Sequence, residues 1–208
     1  MERIYKLDVT VNIEELREYY KTIVENFQHK KFVHSEQKNY IKKEAYTTDQ
    51  INEFGDNVEH DLNRMPHGWS IQSYLEDQSR ICAPWNVLTK NPITDWNTEL
   101  YFGVAEKILK KFPMGYRLGI SLSYPGSYIP THVDASWHVH IPIYSPKKAY
   151  FDFDDAGERY NLEAGSIYLV DTTQMHSVHN EDTEDRPHIL FSVNAEDVNS
   201  LLAITGAI

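Results

Sequence analysis

From residue 116 to residue 193 the chain is a succession of short segments in which apolar and polar residues alternate, each closed by turn residues. Over 116–124, Leu118, Ile120 and Leu122 fall on one side and Arg117, Gly119, Ser121 and Ser123 on the other. Over 137–143, Val139, Ile141 and Ile143 oppose His138, His140 and Pro142. A period of two is the mark of a strand with two different faces. Pro125-Gly126 reads as a turn, and Asp155-Ala156-Gly157-Glu158 as the tip of a hairpin between 150–153 and 160–162. Segments 165–170 and 189–193 complete the set. Strands this short and this closely spaced close into a sandwich or jelly roll, whose mouth can enclose a metal.

The first half reads differently. Residues 1–12 alternate weakly, as an edge strand would. Asn12 then precedes Ile13-Glu14-Glu15-Leu16, an N-cap followed by acids, and Leu16, Tyr19, Tyr20, Ile23 and Phe27 recur at helical spacing. Residues 28–50 read as loop, 51–62 as a short helix interrupted near Gly55, and 69–75 as a strand. A second helix is predicted from Thr94, carrying Leu100, Val104, Ile108 and Leu109 inward and stopping near Phe112-Pro113. No repeat or linker divides the chain. The expectation is one domain over 1–208: a helical and mixed flank (1–112) packing on a barrel core (113–195), then a tail (196–208). The fold class is mainly β with flanking α.

Composition narrows the function. A hydrophobic share of 41% is enough for a packed core. The formal net charge of −11 argues against a general nucleic-acid binder, because phosphate contacts need a basic surface. The single cysteine, Cys82, cannot form an internal disulfide, which fits a reducing, cytoplasmic setting. No apolar run approaches the roughly 18–20 residues of a membrane span, and the first residues lack a signal-peptide core. Neither nucleic acid nor a membrane is therefore expected as a partner.

Six of the ten histidines lie between His132 and His188. In an extended strand His132 and Asp134 point to one face, placing an imidazole beside a carboxylate. A third ligand is available from the segment Met175-His176-Ser177-Val178-His179-Asn180. Two histidines and one carboxylate on one face of a metal form the facial triad of non-haem iron(II) oxygenases. His176 and His179 differ by an odd step, so in a regular strand only one of them can join the pair.

With these residues in place, 121–193 resembles the double-stranded β-helix (a cupin-like jelly roll) of the iron(II)- and 2-oxoglutarate-dependent dioxygenases. It is most similar to the aspartyl/asparaginyl β-hydroxylase-like family, which includes some proline hydroxylases. Ser121, the Pro125-Gly126 turn and His132 match that family's serine, turn and first ligand in spacing. His140-Ile141-Pro142-Ile143 resembles its His-hydrophobic-Pro-hydrophobic strand. His176, with Arg186 ten residues on, resembles its second histidine and arginine, which favours His176 over His179.

The resemblance implies that His132, Asp134 and His176 hold Fe(II). It also implies that Arg186 and Ser121 anchor the C5 carboxylate of 2-oxoglutarate and that His140 lies near the C1 carboxylate. Arginine suits the anchor because its fork binds a carboxylate bidentately. Where the family often carries an arginine, two residues before its His-hydrophobic-Pro strand, this chain has His138, which is thereby a candidate for cosubstrate or substrate contact. Some relatives lack the acidic ligand, whereas Asp134 is present here. The implied activity uses O2 to hydroxylate an amino-acid side chain, free or in a peptide, releasing succinate and CO2. Two alternatives stand beside it: a cupin-type metal enzyme that does not use 2-oxoglutarate, such as an isomerase, and a non-catalytic metal-binding interaction module. Arg186 and Ser121 at the family spacing count against the first.

Overall fold

The computed structural model describes residues 2–28, 32–33, 67–73, 95–96, 99–134 and 136–208. In chain order these carry β1 (Ile4–Lys6), β2 (Val9–Thr10), α1 (Ile13–Asn26), β3 (Phe32–Val33), β4 (His67–Ser70), β5 (Gln72–Ser73), β6 (Asp95–Trp96) and α2 (Val104–Lys111). There follow β7 (Tyr116–Ser123), β8 (Tyr128–His132), β9 (Trp137–Pro142), β10 (Ala149–Phe153), β11 (Glu158–Tyr160), β12 (Tyr168–Val170), β13 (His176–Asn180) and β14 (Arg186–Val193). α3 (Val198–Leu202) and β15 (Gly206–Ala207) end the chain.

Among the described residues, β1-β12-β9-β14-β7-β4-β3 form a large sheet and β11-β10-β13-β8 a small one. From β7 to β14 the odd-numbered strands 7 and 9 join the large sheet, then 12 and 14, while 8, 10, 11 and 13 join the small one. This wrapping of eight strands into two facing sheets is the double-stranded β-helix. Its strands alternate as the sequence requires. Leu118, Ile120, Leu122, Val139, Ile141, Ile189, Phe191 and Val193 leave the large sheet on its outer side and meet the helices in one apolar core. Ser121, His140, Arg186 and His188 sit at the alternate positions, facing into the roll, where Phe151, Phe153, Tyr168, Val170 and Val178 form a second cluster.

α1 seals the outer core. Asn12 caps it, its side chain accepting from the N–H groups of Glu14 and Glu15 at 3.1 and 3.2 Å. Leu16, Tyr19 and Ile23 are buried on one stripe, each worth roughly 1.5–3 kcal/mol of hydrophobic burial. The Tyr19 hydroxyl donates to the Leu100 carbonyl at 2.7 Å, so this buried tyrosine keeps a partner. Trp69, fully buried, donates its indole N–H to the carbonyl of Phe27.

Several elements differ from the sequence expectation. Within the strand predicted over 69–75, the described residues 69–73 belong to two strands, and 74–75 lie outside the described residues. β4 pairs with β7, the Ile71 N–H bonds Leu118 O at 3.0 Å, and β5 then turns away to pair with β6. The helix predicted from Thr94 begins at Val104: Asp95–Trp96 is strand, and Gly103 just before the helix has φ +55°, outside any helical path. The 165–170 segment is strand only from Tyr168, because Gly165 turns with φ +78°. The last strand starts at Arg186 rather than 189, which places that arginine inside the sheet. Beyond 195 the chain folds as well: Leu201 is buried and β15 pairs in parallel with β2. Of the segment read as loop over 28–50, Phe32–Val33 is strand β3 paired with β4, while 29–31 and 34–50, the helix read over 51–62, and Cys82 lie outside the described residues.

Candidate metal centre and anion cradle

His132 ends β8 and His176 begins β13, and the two are direct partners across the small sheet. Their ring centroids are 4.2 Å apart. Asp134, two residues past His132, is fixed by its backbone N–H donating to Thr172 O at 2.7 Å. Its Oδ1 lies 3.8 Å from His132 Nε2 and its Oδ2 lies 3.6 Å from His176 Nε2. One ligand atom from each of the three residues lies within 4.8 Å of the others, so they can converge on a single cation. Among the described residues this is the one cluster of that kind.

The His176 ring is held on both sides. Its Nδ1 donates to the Gln174 carbonyl at 2.9 Å, which leaves the Nε2 lone pair facing Asp134. Phe151 stacks on it at 5.0 Å with planes 8° apart. Burial and the neighbouring His132 push its pKa down to about 3, keeping the imidazole neutral as a metal ligand requires. His179 goes the other way. It stacks on Tyr128 at 6.2 Å and meets Ser177 Oγ at 3.1 Å on the outer face of the small sheet.

His138 stands beside the cluster, its Nδ1 3.3 Å from Asp134 Oδ2. Burial lowers its pKa to about 3 against the pull of Asp134. Farther along β9, His140 is likewise lowered to about 3, by burial and then by the charges of Arg186 and His176. His140 therefore lies between the metal cluster and the arginine. Arg186, at the opposite end of the roll, is buried. Burial lowers its pKa to about 10, and among the described residues no carboxylate lies within ion-pairing distance of it. Ser121 is paired across β7–β14 with His188, while Ser123 is paired with Arg186, so Ser121 sits diagonal to the arginine in the sheet register.

Three residues escaped the sequence reading. His188 is buried on the inner face, 5.8 Å from His140 ring to ring; its two-residue step from Arg186 was the available signal. Ser123 carries the same two-residue step from Ser121. Arg117 has φ +58° in β7 at the point where the β7–β14 register slips, and its charge acts on His138. A bulge of this kind re-aims a side chain, and no alternation pattern announces it.

The family model for aspartyl/asparaginyl β-hydroxylases matches residues 12–196. The chain belongs to that family. A search of curated proteins returned no match. Among solved structures, an oxidoreductase of the 2OG-Fe(II) oxygenase family from Burkholderia pseudomallei aligns with 90% of this chain and 94% of its own, at 11% identity and a TM-score of 0.47. A viral collagen prolyl hydroxylase from Paramecium bursaria Chlorella virus-1, in complex with 2OG, aligns over 44% of this chain and 70% of its own, at 10% identity and TM-score 0.32. A cupin domain from Bordetella pertussis aligns over 38% and 81%, at 15% identity and TM-score 0.34.

Proposed function

We propose that this protein is an iron(II)- and 2-oxoglutarate-dependent hydroxylase acting on an amino-acid side chain, free or within a peptide. One observation carries the reading: two histidines and a carboxylate converge at one end of the roll's inner face, and a buried arginine without a carboxylate partner among the described residues lies at the other. An unpaired buried guanidinium is costly, and an anionic ligand removes that cost. A short dicarboxylate with a chelating 2-oxo acid at one end offers a group for each: the 2-oxo acid for the metal cluster and the far carboxylate for the arginine. A metal enzyme without such a cosubstrate leaves Arg186 unexplained.

His132, Asp134 and His176 would hold the metal, leaving its other positions open. The Gln174 carbonyl fixes the tautomer of His176, and Phe151 holds its ring plane. Arg186 would grip the C5 carboxylate in a fork, with Ser121 donating one further hydrogen bond. His140 lies along the inner face where the C1 carboxylate would sit, and His138, beside Asp134, borders the place where cosubstrate and substrate meet. When bound, iron(II) with 2-oxoglutarate and O2 supplies the oxidising chemistry: the 2-oxo acid leaves as succinate and CO2, and one oxygen atom enters a substrate C–H bond. The chain contributes orientation, two imidazoles and a carboxylate as ligands, and exclusion of water.

The test is succinate release by the purified protein with iron(II) and 2-oxoglutarate, against a panel of free amino acids and peptides, with mass spectrometry for a gain of one oxygen. Substrate-dependent succinate with a matching product is expected. No succinate with any panel member and no binding of 2-oxoglutarate to the metal-loaded protein would overturn the reading.

A further inference from the structure

His188 is an unusual residue for a sheet interior. It is 2% exposed, and neither of its ring nitrogens has a hydrogen-bond partner among the described residues. Leaving a buried polar group unpaired costs about 1–3 kcal/mol, and a leucine would fill the place without that cost. Its surroundings define what it can meet. Arg186 precedes it by two residues on the same strand face, Ser121 is its direct partner on β7, Pro142 its partner on β9, and the His140 ring meets it edge to face.

Arithmetic of lone pairs joins these groups. A carboxylate presents about four acceptor sites, and an arginine fork uses two of them. Burial, with the charge of Arg186 beside it, keeps His188 neutral. It therefore offers one N–H and adds no second positive charge next to the guanidinium. The inner face around Arg186 then has one cation with neutral donors beside it, which matches a single carboxylate.

We infer that His188 is a binding residue for the distal carboxylate of the cosubstrate, donating one ring N–H to the carboxylate that Arg186 grips, and that it favours 2-oxo dicarboxylates over 2-oxo monocarboxylates. This rests on the 2-oxoglutarate reading above and adds to it a contact that the resemblance did not name.

Calorimetric titration of the protein loaded with zinc(II), which prevents turnover, separates the cases. The ligands are 2-oxoglutarate, succinate and 2-oxovalerate, the last having the same chain without the terminal carboxylate. His188→Leu is expected to weaken 2-oxoglutarate and succinate about tenfold while leaving 2-oxovalerate unchanged, with iron affinity intact. His188→Asn, which keeps an N–H donor, is expected to recover most of the loss and serves if the leucine variant folds poorly. Equal 2-oxoglutarate affinity in wild type and both variants overturns the inference alone, as does an equal loss for 2-oxovalerate. A wild-type protein that binds no 2-oxoglutarate overturns the proposed function and this contact with it.

Discussion

The Nδ1 of His176 lies 2.9 Å from the carbonyl oxygen of Gln174, two residues earlier in the chain. A carbonyl only accepts, so the proton is on Nδ1 and the free lone pair is on Nε2, toward Asp134. His179 has no such arrangement: it is on the outer face with Tyr128 and Ser177. His176→Ala is expected to lose iron(II) binding and turnover, whereas His179→Ala should keep most of both. Iron content after equilibrium dialysis, read beside succinate formation, distinguishes them. The reverse pattern would move the third ligand to the outer face.

Asp134 is the one carboxylate of the cluster and is shared between the two imidazoles at 3.8 and 3.6 Å. Asp134→Ala is expected to reduce iron(II) affinity by more than tenfold and to abolish succinate production. Full activity with unchanged iron affinity in that variant would dismiss the triad.

Arg186 combines two effects of opposite sign. Bound to a carboxylate, a buried charge-assisted pair is worth roughly 1.5–3 kcal/mol, so Arg186→Met should raise the 2-oxoglutarate requirement by about one to two orders of magnitude. Without ligand, the guanidinium is buried and unpaired among the described residues, so removing it should leave Tm unchanged or higher. A fall in the ligand-free Tm together with unaltered 2-oxoglutarate affinity would make Arg186 structural.

Burial holds the pKa of His188 well below 6.5, its ordinary value, helped by Arg186 and His140. In the unfolded chain the same group takes a proton near pH 6.5, so the unfolded state binds more protons below that pH and stability falls as pH falls. His188→Leu should therefore flatten the decline. The gap between its urea-unfolding free energy and that of the wild type should move in favour of the variant on going from pH 7.5 to 5.5. Parallel pH profiles for the two proteins would contradict the buried neutral imidazole.

Gly115 tests the outer core. A Cβ there would lie 2.6 Å from Phe191 Cδ2 and 3.2 Å from the Phe112 carbonyl. Phe191 is fully buried against Phe112 at 5.5 Å and has little room to move. Gly115→Ala should cost roughly 1–3 kcal/mol, several degrees in Tm, without altering 2-oxoglutarate affinity. A neutral result would mean that Phe191 can rotate away.

What could be read from sequence was what alternation encodes. The two-residue period over 116–124 and 137–143 assigned Leu118, Ile120 and Ile141 to one face and Ser121 and His140 to the other, and the sheets keep those assignments. Odd parity likewise separated His176 from His179. Features set by non-local pairing were not legible. Nothing in Trp69-Ser70-Ile71-Gln72 says that the strand changes sheets at Ile71, since that depends on Leu118 and on Asp95–Trp96, both remote in sequence. The helix placed at Thr94 failed because apolar spacing ignored the positive φ required at Gly103. His188 was passed over because a histidine among apolar residues reads as core until its missing partners are seen.

The metal cluster and the proposed carboxylate site belong to different sheets: His132 and His176 stand on the small one, Arg186 and His188 on the large one. A ligand spanning them would add a tie between layers that otherwise meet through the apolar cluster of Phe151, Tyr168 and Val178 and through the Asn180 side chain, which donates to the Ser123 carbonyl at 2.9 Å. Opening either sheet alone would break that tie. Occupancy at a hundredfold above Kd adds about 2.7 kcal/mol to the folded state, and both layers share it. Amide exchange in β13 and β14 should then slow in step as ligand is added, and the roll should open as a single cooperative unit.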